Sequence, residues 1–242
     1  MNIDCLLIDG RPNQDDGFYA LLRRIGEHLS SFTDLFSNIS FILADKPPAR
    51  HMCSHIDYIS IGPLTYSQYQ MFSVYRLLEF SDADYIITCQ FDGFPLFKNR
   101  WQDKFTEYDY IGSPWTTEFV KTHLSFFYKI KNPVVPTKLL VGNSGFSLRS
   151  RKFCEVAKKS TYPTHKHPID NTSRSIPRLD DWFFSVGARD YFEENGVKFA
   201  DRAIASQFSL DPQLTGISPP DIVNKHQPFG FHGADILRLI LT

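Results

Sequence analysis

The sequence predicts an α/β fold, with a mostly parallel central sheet flanked by helices and a less regular second half. Three observations carry that reading. Short apolar runs closed by Gly or Pro alternate, through the first part of the chain, with segments whose apolar residues recur at helical spacing. Strands separated by helices feed a parallel sheet, because each crossover lies over one of its faces. The 242 residues, 42% of them hydrophobic, suit one large domain, and no repeat or linker divides them.

The elements follow in order. Residues 3–9, "IDCLLID", read as a buried strand stopped at Gly10. Residues 17–32 read as a helix with Leu21, Leu22, Ile25 and Leu29 inward. Residues 39–45 and 56–61 read as two more strands, ended by "KPP" and "GP". Residues 67–80 read as a second helix with Met71, Val74, Leu77 and Leu78 inward. Residues 84–89 read as the fourth strand. Beyond "TEYDYIGSPW", residues 117–137 are aromatic and basic and suggest a long excursion or lid. Residues 138–159 suggest a strand, a Gly-rich turn, a short strand and a helix. Residues 162–178 are polar and Pro-rich, hence a loop, and residues 179–196 read as a helix from the Asp180–Asp181 pair to Gly196.

Bulk properties exclude some classes. The formal charge of −1 disfavours a dedicated nucleic-acid binder. The aromatic share of 15% suits sugar rings or bases as well as a core. Cys5, Cys53, Cys89 and Cys154 show no C-x-x-C spacing, so neither zinc nor a disulfide framework is expected. Buried thiols fit a reducing compartment. The acidic start "MNIDCLLIDG" does not read as a signal peptide, and no apolar run reaches membrane-span length. The expectation is a cytoplasmic protein, with peripheral contact at the inner face of the membrane left open.

Four features carry chemistry, each with a plainer alternative. Asp92 follows a buried strand and precedes Gly93. Such a carboxylate can present oxygen to Mg²⁺ or Mn²⁺, or can cap the next turn. "GNSGFSLRS" opens with Gly142, Asn143, Ser144 and Gly145. Backbone can approach a ligand there, or a hairpin can turn. In "LDDWFF", one acid of the pair suits a helix cap. The other, beside a like charge, would have a raised pKa and act as a better base. His232 in "PFGFHGAD" is either a core histidine or a ligand beside a carboxylate.

Taken in order, "QFDGF", "YDYIGSPW", "GNSGFSLRS", "LDDWFF" and "PFGFHG" resemble glycosyltransferases of the GT-A fold. In particular they are similar to a family of uncharacterised bacterial and fungal glycosyltransferase-like domains. The resemblance implies a single GT-A-like domain over 1–242, with a nucleotide-binding half (1–95) and an acceptor and catalytic half (96–242). It implies a nucleotide-sugar donor, a glycan or lipid-linked glycan acceptor, and Mn²⁺ or Mg²⁺ as cofactor. Asp92 would stand last in the metal-binding Asp-x-Asp motif, and His232 would complete the site. Gln90 stands where that motif has its first Asp, which leaves one carboxylate and puts metal affinity in question. Asp181 would deprotonate the acceptor hydroxyl in an inverting transfer, with Asp180 capping the helix or binding acceptor hydroxyls. Gly142, Asn143, Ser144 and Gly145 would line donor sugar or acceptor, Trp115 would stack on a sugar ring, and Asp9 and Asp45 would contact base or ribose. Lys121, Lys129, Lys131 and Lys138 would face an anionic glycan or lipid diphosphate, or form a solvated face. The class implies work on bacterial surface polysaccharide such as lipopolysaccharide.

Two rivals remain. A phosphatase with Asp-x-Asp-Gly at a strand end needs a nucleophilic Asp where this chain has Gln90, which cannot form a phospho-enzyme. A non-catalytic nucleotide-sugar or carbohydrate-binding module would keep the fold without turnover.

Overall fold

The computed structural model describes residues 1–12, 14–128, 131–160, 164–166, 173–175 and 179–241. Its centre is β1 (Ile3–Asp9), buried along its whole length. Next come β2 (Asn38–Leu43), β3 (Asp57–Ser60) and β4 (Tyr85–Cys89). β1 pairs in parallel with both β2 and β4, and β3 adds in parallel to β2. Two-residue periodicity splits β1 between two cores. Cys5 and Leu7 join Leu22, Ile25 and Leu29 of α1 (Asp16–Leu29). Leu6 and Ile8 join Phe72 and Val74 of α2 (Tyr66–Tyr75) on the other face.

Both helices start at capped ends. Asp15 accepts from the Phe18 N–H at 2.8 Å, and Thr65 with Gln68 forms a reciprocal capping box. α2 ends earlier than the apolar spacing suggests, and a 3₁₀ turn (Leu77–Glu79) follows. Met71 points outward, 39% exposed, while Gln70, Phe72 and Ser73 are buried. The polar members of that buried face have partners in the second half of the chain, which helical spacing alone does not show.

After β5 (Gly93–Pro95) come β6 (Tyr110–Pro114), α3 (Thr117–Tyr128), β7 (Val141–Ser150) and α4 (Arg151–Lys158). The expected excursion over 117–137 begins as a helix, because Val120 and Leu124 fall on one face and pack near Trp115 and Trp182. Lys129 lies outside the described residues. The strand–turn–strand expected over "VGNSGFSLRS" is one ten-residue strand. β7 runs antiparallel to both β4 and β6, with register shifts against β6 near Ser113. The order is β3-β2-β1-β4-β7-β6, so β7 alone opposes the parallel direction.

The glycines of β7 answer to packing rather than to a turn. A Cβ on Gly142 would run into the Trp115 ring, and one on Gly145 into the His232 ring. Gly142→Ala is therefore expected to destabilise the fold by about 1–3 kcal/mol, the usual range for overpacking. A urea melt with an unchanged midpoint would refute this account of Gly142.

The remaining elements are short. β8 (Thr164–Lys166) pairs antiparallel with β9 (Ser173–Ser175), within a stretch predicted as loop and mostly outside the described residues. The helix predicted over 179–196 is divided: α5 (Asp180–Trp182), a π-helical turn (Phe183–Gly187) and α6 (Arg189–Glu194). α7 (Arg202–Phe208), β10 (Ser209–Leu210), α8 (Pro212–Thr215) and α9 (Pro219–Asp221) lead to β11 (Gly230–His232) and α10 (Ala234–Leu241). β11 pairs with β10 in parallel and with β5 antiparallel, which brings the chain's end back to Asp92. Among the described residues, no helix is long and apolar enough to cross a membrane.

Candidate active site

Ligands of open parallel sheets bind beyond the carboxyl ends of the strands. A cleft of about 560 Å³ opens there, walled by Gly10 and Arg11 after β1, Leu64 to Tyr66 at the start of α2, Tyr69, and Gln90 and Phe91 after β4. That volume is in the usual range for small-molecule and cofactor sites. Asp9 lines it but is 5% exposed and committed. Arg11 Nε lies 3.0 Å from both its carboxylate oxygens, and Nη2 lies 2.6 Å from one. The guanidinium also sits over the Phe91 ring at 4.2 Å and the Phe18 ring at 4.9 Å. A ligand in the cleft thus meets Arg11, with Asp9 holding it from behind. Asp45, expected to contact base or ribose, is exposed and lies outside this wall. The strand ends at Leu43, two residues short of it.

Asp92 directly follows the cleft-lining Gln90 and Phe91. Gln90 and Gly93 exchange backbone hydrogen bonds at 2.9 and 3.1 Å, making a two-residue turn of Phe91 and Asp92 between β4 and β5. Across β5, His232 stands opposite Gly93. Gly93 and Gly145 both press on its ring, since a Cβ on either would strike the imidazole. His232 Nδ1 lies 2.8 Å from Asp211 Oδ2. Its Nε2 lies 3.2 Å from Gln90 Oε1 and 3.8 Å from Asp92 Oδ1. Gln90 is oriented by its amide, which donates to the Tyr69 hydroxyl at 2.6 Å. Asp92 Oδ1 is buried and has no hydrogen-bond partner.

Charge follows from this geometry. Burial raises the Asp92 carboxyl, against the opposing charges of His232 and Arg11. Burial alone would lower His232, but the bond to Asp211 and the charges of Asp92, Asp211 and Asp181 reverse it, so its pKa is raised. Among the described residues, no three His, Cys, Asp or Glu side chains converge to cage a metal. The residues nevertheless fit a divalent ion that takes most ligands from elsewhere: an orphaned carboxylate oxygen, an imidazole nitrogen and the Gln90 carbonyl face one another.

The two acids of α5 differ sharply. Asp180 is 2% exposed. It accepts from Ser73 Oγ at 2.5 Å, Ser144 Oγ at 2.7 Å, the Asp181 N–H at 2.9 Å and Arg149 Nη2 at 3.4 Å. Its own N–H donates to Gln70 Oε1 at 2.6 Å. With its lone pairs engaged, Asp180 is a structural anchor, and its assignment to catalysis or acceptor hydroxyls is corrected. Leu179, not Asp180, holds the cap position. Asp181 is partly exposed, and among the described residues its carboxylate accepts only from the Trp182 N–H, at 2.7 Å. Its carboxyl is pushed up to about 7, by burial first and by the charge of Asp180 second. The sequence expectation put the neighbouring charge first.

Other assignments separate in the same way. Trp115 is 1% exposed and stacks on Trp182 at 5.5 Å, so it offers no face to a sugar. Gly142 lies against Trp115, and the Ser144 hydroxyl is committed to Asp180. Neither is free to line a ligand in the way expected. Asn143 and Gly145 do adjoin the His232 cluster. Lys138 is ion-paired with Asp190 at 2.7 Å and Glu193 at 3.1 Å, while Lys121 and Lys131 are exposed. Sequence reasoning missed Arg11, Tyr69, Arg149 and Asp211. Only Arg149 gave a signal, as a cation inside a strand otherwise fit for burial. It also missed Tyr66, an aromatic 66% exposed at the lip of the cleft.

The family model described as "Protein of unknown function (DUF5672)" matches residues 65–232. Mouse xyloside xylosyltransferase 1, in its apo form, is 12% identical with a TM-score of 0.50, covering 96% of this chain and 97% of that one. A glycosyltransferase involved in glycosylation of the major capsid of PBCV-1 is 10% identical with a TM-score of 0.49, covering 96% and 92%. The galactosyltransferase LgtC, in complex with donor and acceptor sugar analogs, is 12% identical with a TM-score of 0.46, covering 96% and 86%. A search of curated proteins finds no match. What the likeness to the xylosyltransferase shows is the fold alone, a GT-A-like mixed α/β architecture around a mostly parallel sheet.

Proposed function

The chain belongs to the family described as "Protein of unknown function (DUF5672)", and from the geometry of its site we propose that it is a metal-dependent glycosyltransferase. It moves a sugar from a nucleotide-sugar donor to a glycan or lipid-linked glycan. The observation that carries this reading is the orphaned Asp92 oxygen facing His232, one residue beyond the Gln90–Phe91 wall of a nucleotide-sized cleft.

The nucleotide lies in the cleft beside Arg11, whose fixed guanidinium suits a phosphate or the edge of a base. Tyr66, rather than Trp115, offers an exposed ring for stacking. Asp92 and His232, with the Gln90 carbonyl, would hold Mn²⁺ or Mg²⁺. Bound there, the ion supplies neutralisation of charge on the departing diphosphate. Asp181 takes the acceptor proton, since a carboxyl that titrates near 7 is a capable base at neutral pH. The acceptor hydroxyl then forms a bond to the anomeric carbon as the bond to the nucleoside diphosphate breaks. A single displacement of this kind inverts the anomeric centre. The surface-polysaccharide setting rests on the resemblance of the motifs alone.

A thermal-shift panel tests the reading, with UDP, GDP, CMP and TDP, each with and without Mn²⁺, on wild type and Asp92→Ala. A ligand at about 100 times its Kd stabilises by about 2.7 kcal/mol. For a chain of this size that is a rise of about 5–10 °C. One nucleotide is expected to give a Mn²⁺-dependent rise that Asp92→Ala loses. Equal shifts in both proteins, with or without metal, would remove Asp92 from the role.

A further inference from the structure

Three polar atoms converge beside the cleft: His232 Nε2, Gln90 Oε1 at 3.2 Å from it, and Asp92 Oδ1 at 3.8 Å. Two of the three are held in place. Gln90 is held through its amide by Tyr69, and the imidazole is clamped between Gly93 and Gly145. What the ring presents to the other two therefore depends on where its proton sits.

That is decided on the opposite edge of the ring, where Nδ1 meets the Asn143 amide nitrogen at 3.2 Å and a nearer, charged carboxylate. Asp211 is 4% exposed, and its Oδ2 lies 2.8 Å from His232 Nδ1. Its other oxygen is bound by the backbone N–H groups of Gln213 at 2.8 Å and Leu214 at 3.3 Å, at the start of α8. The carboxylate is thus fixed from two sides and can only accept from the ring. We propose that Asp211 is a positioning residue: it holds the neutral His232 with its proton on Nδ1, so that the Nε2 lone pair points at Asp92 and Gln90 as a ligand for a divalent cation. The ligand half of this inference rests on the metal reading proposed above; the tautomer half does not. Hydrogen bonding at one imidazole nitrogen sets which form the other presents, and losing such a partner commonly lowers metal affinity 10–100-fold.

Asp211→Asn separates this role from helix capping. The Asn carbonyl still accepts from Gln213 and Leu214, but its NH₂ now donates to Nδ1 and forces the ring proton onto Nε2. The tautomer is read by ¹⁵N–¹H two-bond correlation of the imidazole, well above the pH at which the ring titrates, with the signal assigned through His232→Gln. Mn²⁺ binding is read by electron paramagnetic resonance on the chain without nucleotide. The expected result is an Nδ1–H ring in wild type, an Nε2–H ring in Asp211→Asn, and a Mn²⁺ dissociation constant raised about 10–100-fold in the variant. A wild-type ring protonated on Nε2, or a variant that keeps the wild-type tautomer, overturns the inference. So does a switched tautomer with Mn²⁺ affinity unchanged. If the tautomer switches as stated and neither protein binds Mn²⁺, the positioning role stands and the metal reading falls. Should Asp211→Asn fail to fold, the wild-type spectrum alone decides.

Discussion

Asp181→Asn is expected to lower turnover by about 10²–10⁴-fold, the range for loss of a general base, while leaving nucleotide binding intact. Wild-type rate should climb as pH rises through about 7, where the Asp181 carboxyl ionises, and then level off. The variant's residual rate should lack that limb. Stability should move the other way. The folded pKa lies above the unfolded value, so the folded state holds the proton more tightly. The stability linked to protonated Asp181 is fully present below about pH 4 and is lost as pH rises through about 7. Asn stays neutral throughout, and its oxygen still accepts from the Trp182 N–H. Asp181→Asn should therefore match wild type in acid and exceed it above neutrality by about 1–3 kcal/mol, a value held down by the partial exposure of the carboxyl. Melting curves at acid and alkaline pH check this. An active variant, or one that keeps the rise in rate near pH 7, would end the assignment of Asp181 as base.

The largest loss of stability is expected at Arg149. It is 1% exposed, donating to the Ser73 carbonyl at 2.8 Å, to Ser147 Oγ at 3.0 Å and to Asp180 at 3.4 Å. Arg149→Met leaves Asp180 buried without its cation. Removing one member of a buried pair costs about 3–5 kcal/mol, because the other charge remains desolvated. Urea unfolding gives the number. The loss should be smaller in Arg149→Met/Asp180→Asn than the two single losses added together, since the pair shares one network. Additive losses would mean that the ion pair does not couple the two sites. Because Asp180 also holds Ser144 of β7, and Gln70 and Ser73 of α2, the damage reaches the turn that carries Asp181.

What could be read in the sequence follows from how local each signal was. β1, β2, β4 and α1 were legible because their own residues state the period of burial. α5 was legible as an acid pair with two fates, but not which acid would be free. That depends on Ser73, Ser144 and Arg149, all more than 30 residues away in the chain. The Gly-rich stretch of β7 misled because glycine marks turns and close packing alike. Here the reasons are the rings of Trp115 and His232. Trp115 misled for a related reason, since nothing beside it in the sequence shows that Trp182 covers its ring. Asp211 was invisible, lying in "SLDPQL" as an ordinary cap before Pro212. Its bond to His232 crosses from α8 to β11, and no sequence period records such a contact.

The place of β7 also bears on how the protein is made. β4 and β6 are synthesised before the strand that lies between them, so both carry an open edge until residue 150 has emerged. Unpaired edges of this kind template wrong pairings. Closing the gap joins residues about sixty positions apart, and contacts that distant slow folding. The strand that closes it carries Asn143, Ser144 and Gly145. Asp181, Asp211 and His232 follow later still. The nascent chain thus completes its sheet before the last residues of the site emerge, and no fragment that stops short of β7 has a continuous six-stranded sheet.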